Sequence, residues 1–297
     1  MRALRAVLGT VCVLGCASRP RAPELGVERY GDGPTTVVVL HGGPGFPHSY
    51  LLPEWKRVVD STRRVVFYDQ RGCGKSTRRG PYTWQQHVAD LDRLIGASQP
   101  ASGGPVILAG TSWGSFLALL YAKRHPERIT ALVLSGVPAW PDTTGARMYA
   151  HFSRTTRATI DSINAGLPAS TFVADSSMTA RGFTKGPAGQ LGPRLGPYCV
   201  DAHFAIWASL RTAPPLDSLR SIVVPVLIVR GTEKSTVTDG APALAAILPH
   251  AVVHDIHGAS HDPWYEQPDS TFAAVNAFID RVSLTTTGVR LHNAGSQ

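Results

Sequence analysis

The run Pro105-Val106-Ile107-Leu108-Ala109 passes without interruption into Gly110-Thr111-Ser112-Trp113-Gly114. Phe116, Leu119 and Leu120 then recur at helical spacing until His125-Pro126. No other stretch limits the possible folds of this chain as much. A continuous apolar run is what a strand buried on both faces requires, and an apolar period near 3.6 residues is what a half-buried helix requires. Only one tight turn can join them here. A serine between glycines at such a turn is pushed out over the end of the sheet, and the glycines are needed because side chains there would clash. Ser112 is therefore a candidate nucleophile.

The alternation extends along most of the chain. Apolar runs at residues 36–40, 64–68, 131–134, 224–229 and 252–256 join the run at 105–109 as predicted strands. Between them Val88, Leu91, Leu94 and Ile95 share a helical face, as do Leu244, Ile247 and Leu248, and finally Phe272, Val275, Phe278 and Ile279. Buried strands alternating with amphipathic helices predict an α/β fold: a mostly parallel sheet covered by helices on both faces. Residues 139–215 break the pattern. They hold no buried-strand run. Met148, Phe152 and Ile163 suggest one helix, residues 182–197 form a Gly/Pro-rich loop, and Val200 to Leu210 suggest another helix. This segment has the size of a mostly helical lid inserted after the fourth recognisable strand. The organisation expected is a leader at 1–15, a linker and edge strand at 16–35, a core from 36–138 and 216–297, and a lid at 139–215.

The 297 residues are 43% hydrophobic and 17% charged. That composition excludes a mostly disordered chain, a collagen-like repeat and a multi-span membrane protein. The net charge of +8 comes largely from scattered arginines, with doublets only at Arg63-Arg64 and Arg78-Arg79. No basic run with interleaved aromatics is present, so a nucleic-acid partner is not expected.

The N-terminus reads as an export signal: Arg2 and Arg5 precede a short apolar stretch, Ala6 to Gly15, too short to span a bilayer. Val13-Leu14-Gly15-Cys16 resembles a bacterial lipobox, which implies lipidation at Cys16 and a membrane-anchored exported protein. A plain secretory signal, with a secreted or periplasmic protein, is the alternative. Beyond Cys16 only Cys73 and Cys199 remain, and they are expected as free thiols. Their spacing fits no metal motif.

The strand at 36–40 ends in His41-Gly42-Gly43-Pro44-Gly45. Glycines there let the backbone approach a ligand and aim an N–H at it. Acyl transfer needs two such donors for a tetrahedral oxyanion. The candidates are the backbone N–H of Gly43 and of Trp113, the residue after the nucleophile.

Three motifs in order, His41-Gly-Gly-Pro-Gly45, Tyr68-Asp-Gln-Arg-Gly-Cys-Gly-Lys-Ser76 and Gly110-Thr-Ser-Trp-Gly-Ser115, closely resemble those of the proline iminopeptidase family of α/β-hydrolases. The resemblance covers about residues 36–138, is looser over 224–280 and nearly vanishes in the lid. It implies an α/β-hydrolase fold, hydrolysis of small N-terminal amides or related esters, a small-molecule or short-peptide substrate, and no metal or organic cofactor.

It also implies a late histidine as base. His261, in the loop after the last strand and before Pro268, occupies that place, with His257 as its nearest rival. The family's acid falls three residues after the glycine that ends the strand at 224–230. That position holds Lys234, so the expectation passes to Glu233, with Asp239 and Asp142 as alternatives. Residues 139–215 contain no Glu, the residue with which the family holds a substrate ammonium. Asp201 is the best remaining candidate for that role. Three readings follow: a proline iminopeptidase-like peptidase, an esterase or amidase acting on uncharged acyl substrates, and a non-catalytic binding protein on a hydrolase scaffold.

Overall fold

The computed structural model describes residues 24–101, 103–141, 199–235 and 237–294. Cys16 and Asp142 lie outside them. Seven strands form one sheet in the order β1-β3-β2-β4-β5-β6-β7. These are β1 (Val27–Tyr30), β2 (Thr35–Leu40), β3 (Arg63–Tyr68), β4 (Val106–Thr111), β5 (Ala131–Ser135), β6 (Val226–Gly231) and β7 (Ala251–Ile256). Only β1 is antiparallel to its neighbour, pairing Val27 with Tyr68. The other ladders are parallel. The parallel ladders place the C-terminal ends of β2 and β4 to β6 on one edge of the sheet.

Period-2 alternation divides each strand between two cores. Val38 and Leu40 of β2, Leu108 of β4 and Leu132 and Leu134 of β5 face one core. Val37 and Val39, Ile107 and Ala109, and Ala131 and Val133 face the other. Both faces are covered, so strands β2, β4 and β5 are buried along their whole length. Among the described residues the α-helices are α1 (Leu52–Trp55), α2 (Trp84–Ser98), α3 (Trp113–Arg124), α4 (Val200–Ser209), α5 (Ala241–Ile247), α6 (Pro263–Glu266) and α7 (Pro268–Ala294). Leu91 and Ile95 of α2 and most of α3 join the first core, while Phe272, Val275 and Phe278 of α7 join Trp55 in the second.

α3 is buried from Trp113 to Ala122, on every side. That explains why its sequence is apolar all round rather than striped. Lys123 and Arg124 close its last turn, where cations oppose the negative end of the helix dipole. α2 starts at Thr83, whose hydroxyl accepts the Gln86 N–H at 3.3 Å.

Candidate active site

The turn between β4 and α3 holds Ser112 at φ 52°, ψ −119°, the one non-glycine residue with positive φ among those described. Its amide donates to the Ser135 carbonyl of β5 at 2.9 Å. The flanking glycines leave room for nothing larger. A Cβ on Gly114 would lie 2.1 Å from the Leu40 carbonyl oxygen, and one on Gly110 would lie 2.4 Å from the carbonyl oxygen of Gly114. The chain can therefore make this strained turn only with glycine on both sides. Ser112 is half-buried, at the C-terminal edge of the sheet.

The loop after β2 lies beside it: a Cβ on Gly42 would come within 3.1 Å of Ser112 Cβ. Its backbone is held group by group. The Tyr50 hydroxyl accepts the Gly42 N–H at 2.8 Å. The His41 Nδ1 donates to the Gly42 carbonyl at 2.9 Å, and its Nε2 accepts the Gln70 N–H at 2.9 Å. That arrangement needs a neutral imidazole, and burial pushes the His41 pKa down to about 4. Gly43, at φ +117°, is where glycine is required for the backbone path. Among the described residues the N–H groups of Gly43 and Trp113 make no hydrogen bond within the chain.

The segment after β3 folds around Asp69. Its carboxylate accepts the His48 N–H at 2.8 Å, His48 Nδ1 at 2.7 Å and the Lys75 N–H at 2.7 Å. Burial alone would raise its pKa, but these donors hold it below the ordinary carboxylate range. Gly74, at φ +46°, is required here, since a Cβ would strike the Asp69 carboxylate at 2.1 Å. The wrap fixes the two following side chains. Gln70 reaches the loop after β2, and Arg71 makes a buried two-point contact with Asp90, Nε–Oδ2 2.7 Å and Nη2–Oδ1 2.8 Å.

His261 is buried in the loop between β7 and α6, 5% exposed. It packs on the end of β5: a Cβ on Gly136 would meet the His261 carbonyl oxygen at 2.1 Å and its Nδ1 at 3.4 Å. Glu266 secures this loop by accepting the N–H groups of Ser260 at 2.8 Å and Asp262 at 3.1 Å. Burial lowers the His261 pKa to about 4 against the opposing pull of Glu266 and Asp239. Next to it, Asp262 is buried beside Glu266, and its pKa is pushed up to about 7, burial being the larger cause. No hydrogen bond joins Ser112 to His261 in this structure.

A cavity of about 440 Å³ opens beside His261, lined in part by Gly136, Glu233, Lys234, Asp239, Ser260 and His261. Glu233 and Lys234 are both exposed there. The Glu233 amide donates to the Ala259 carbonyl at 2.8 Å, and its carboxylate does not hydrogen-bond His261. Asp239, also exposed, lines the same cavity. Its backbone bridges to Pro138, and its Oδ1 accepts the Ala241 N–H at 2.9 Å. It too makes no hydrogen bond to His261, but its charge acts on the ring. His257 is exposed and lies outside this group. Asp201 is exposed in the first turn of α4, where its charge is felt by Tyr82. Cys73 is buried and Cys199 half-buried, both as free thiols. Among the described residues no cluster of His, Cys, Asp or Glu forms a metal site.

Sequence reasoning alone does not single out Gln70, Tyr50, Glu266 or Asp262 for these roles. Glu266 carries one usable signal, its place between the candidate base and the Gln267-Pro268 that begins the last helix.

A serine at positive φ between the fourth strand and a buried helix, a glycine loop beside it and a histidine on the loop after the last strand are arranged as in an α/β-hydrolase fold. The chain belongs to the alpha/beta hydrolase fold family, which matches residues 35–268. It is 40% identical over 109 residues to the proline iminopeptidase of Neisseria meningitidis serogroup A, a match spanning 34% of this chain and 32% of that enzyme. The chain thus matches about a third of the length of that relative. The proline iminopeptidase of Heyndrickxia coagulans is 24% identical over 272 residues, 84% of this chain and 92% of its own. Among solved structures, a thermophilic esterase from Thermogutta terrifontis superposes with a TM-score of 0.70 at 20% identity, over 88% of this chain and 94% of its own. The proline iminopeptidase of Mycobacterium smegmatis superposes with a TM-score of 0.63 at 22% identity, over 89% and 97%.

Proposed function

We propose that this protein is a serine hydrolase that cleaves small amide or ester substrates through an acyl-enzyme. The observation that carries the reading is the strained backbone of Ser112 beside two N–H groups, Gly43 and Trp113, that have no partner in the described chain. Such donors, aimed in advance at a developing oxyanion, lower the barrier of acyl transfer without reorganising at the moment of reaction. In this mechanism Ser112 Oγ attacks the substrate carbonyl carbon and His261 Nε2 takes its proton. The carbonyl oxygen becomes the oxyanion, and the leaving group departs with the proton from His261. Water then releases the acyl group by the same steps in reverse order.

The acid that supports His261 is assigned to Asp239, the alternative to Glu233. Both carboxylates are exposed, but the Asp239 charge favours the imidazolium and the Glu233 charge does not act on the ring. Glu266 contributes the larger field and holds the loop.

A second reading, an esterase or amidase for uncharged acyl groups, is favoured by residues 139–215, which contain no Glu to hold a substrate ammonium. Export and lipid attachment at Cys16 are proposed on the leader alone.

One experiment tests the function. The purified protein is treated with a fluorophosphonate probe, and its turnover of a prolyl anilide is compared with that of a short acyl ester. Labelling that is lost in Ser112→Ala, together with turnover of either substrate, is the expected outcome. An unlabelled, inactive wild type overturns the hydrolase in favour of a binding protein. The faster substrate decides between the two enzyme readings.

A further inference from the structure

The loop that carries the Gly43 donor is held from two sides, and the two sides belong to different parts of the chain. The core holds the His41–Gly42 peptide at both ends: Gln70 Nε2 donates to the His41 carbonyl at 2.8 Å, and Tyr50 takes the Gly42 N–H. The peptides after Gly43 are held by α4, which lies in the segment expected as the lid. The Cys199 N–H donates to the Gly45 carbonyl at 2.9 Å. His203, one turn further on, places Nδ1 3.0 Å from the Pro44 carbonyl oxygen in a buried contact. A carbonyl cannot donate, so Nδ1 carries the hydrogen. Burial drives the His203 pKa down to about 4, and the ring is a neutral donor at ordinary pH.

α4 is itself seated firmly. A Cβ on Gly72 would stand 2.6 Å from Ala202 Cβ, so the helix meets the loop after β3 where only glycine fits. Trp207, one turn beyond His203, packs edge-on against Trp113 with centroids 6.0 Å apart, and against Phe116 at 6.3 Å. The same helix therefore touches both segments that supply the expected oxyanion donors: Pro44 through a hydrogen bond and Trp113 through a ring contact.

We propose that His203 is a positioning residue. By holding the Pro44 carbonyl it fixes the Pro44–Gly45 peptide, and through the rigid proline it limits the backbone at Gly43 and so aims the Gly43 N–H at the substrate oxyanion. The inference rests on the hydrolase reading above. It gives the helix at Val200–Ser209 the task of holding the loop that presents the Gly43 donor.

The test compares His203→Phe, which keeps a ring against Phe204 and Trp207 but loses the donor, with His203→Asn, whose Nδ2 stands where the histidine Nδ1 stood. Each variant is measured for kcat and KM on a short acyl ester. Each is also measured for affinity toward a trifluoromethyl ketone, to whose carbonyl carbon Ser112 Oγ adds while the carbonyl oxygen becomes an oxyanion and the serine proton passes to His261. Displacing a donor by a fraction of an ångström costs about 10- to 100-fold. His203→Phe should lower kcat and ketone affinity by that common factor with KM within about twofold, and His203→Asn should recover most of both. A purely structural role would not divide kcat from KM in this way, nor be rescued by a smaller donor.

If the Phe variant does not fold, by circular dichroism, His203→Leu is set against Asn for the same contrast. Unchanged kcat and ketone affinity in the donor-less variant, or an Asn variant no better than it, overturns the inference while the wild type stays active. A wild type that neither turns over ester nor accepts a fluorophosphonate overturns the hydrolase reading, and the inference with it.

Discussion

Trp113 donates its indole Nε1–H to the Gln70 side-chain oxygen at 2.6 Å, while the nitrogen of the same amide donates to the His41 carbonyl. One buried side chain thus spans the two segments that present the expected oxyanion donors. Gln70→Leu should lower kcat on a short ester about 10- to 100-fold, because an apolar side chain leaves the indole N–H and the His41 carbonyl unpaired and the two segments free to drift. Gln70→Glu keeps the acceptor but loses the donor, and should fall between wild type and Leu. Steady-state kinetics beside thermal melts check this. Equal loss in the two variants would assign the effect to folding.

Asp239→Asn removes a charge that acts on His261. Loss of a triad carboxylate costs on the order of 10²–10⁴ in kcat, and the lower end is expected here because Glu266 also favours the imidazolium. Glu233→Gln, at a carboxylate whose charge does not act on the ring, should be nearly silent. The reverse pattern returns the role to Glu233.

The acid side of the pH profile follows from the base. His261 must be neutral to accept a proton, and in the folded protein it stays neutral down to about pH 4. A plot of kcat/KM, which reports the free enzyme, should be flat from pH 7 to about pH 5 and fall tenfold per unit below about pH 4. An acid limb near 6.5 would mean that the ring is solvated.

Stability should follow a related course. His41, His203 and His261 are all depressed to about 4 in the fold. Between about 6.5 and 4 the unfolded chain binds protons that the folded protein refuses, so stability contributed by these groups is lost as pH falls through that window. Asp262 acts in the opposite sense. Its folded pKa, about 7, lies above the unfolded value, so its contribution is lost as pH rises from about 4 to 7. Urea midpoints should therefore drop from pH 6.5 to pH 4.5 in the wild type, since three groups outweigh one. Asp262→Asn should raise the midpoint at pH 8 and leave it unchanged at pH 4. A midpoint lowered at pH 8 would contradict the burial of a charged-form-averse carboxyl.

Asp90→Ala leaves the Arg71 guanidinium buried without its two-point partner. Breaking such a pair costs about 3–5 kcal/mol, which denaturant unfolding can measure. The cost should reach activity as well, because Arg71 adjoins Gln70.

The leader makes a separate prediction. Mass spectrometry of the mature chain expressed in a bacterial host should find a diacylated N-terminal Cys16, and Cys16→Ser should release soluble protein. An unmodified N-terminus cut elsewhere assigns a plain secretory signal.

The sheet and its serine were legible because each depends on short-range chemistry. Val37 to Leu40, Val106 to Ala109 and Leu132 to Leu134 are apolar at every position, and only a strand with helices on both faces can bury consecutive side chains in that way. Gly110 and Gly114 can be read in sequence because the turn around Ser112 brings their Cα atoms against neighbouring carbonyl oxygens, where no side chain fits. The family motifs likewise keep their parts within a few residues: Asp69 is wrapped by Gly74 and Lys75 of its own segment.

What only the tertiary structure decided are the contacts across long separations in the chain. Glu233 is near the strand end in sequence, but its backbone binds Ala259 and its charge does not act on His261. Asp239 lies farther along the chain and is brought by Pro138 to the cavity wall. Gln70 reaches Trp113 across 43 residues, and His203 reaches Pro44 across 159. The physical reason is that strand and helix formation depends on residue type and period, which a sequence displays. Which side chain meets which backbone group depends instead on the packing of whole layers, and that exists only once the sheet is built and both its faces are covered.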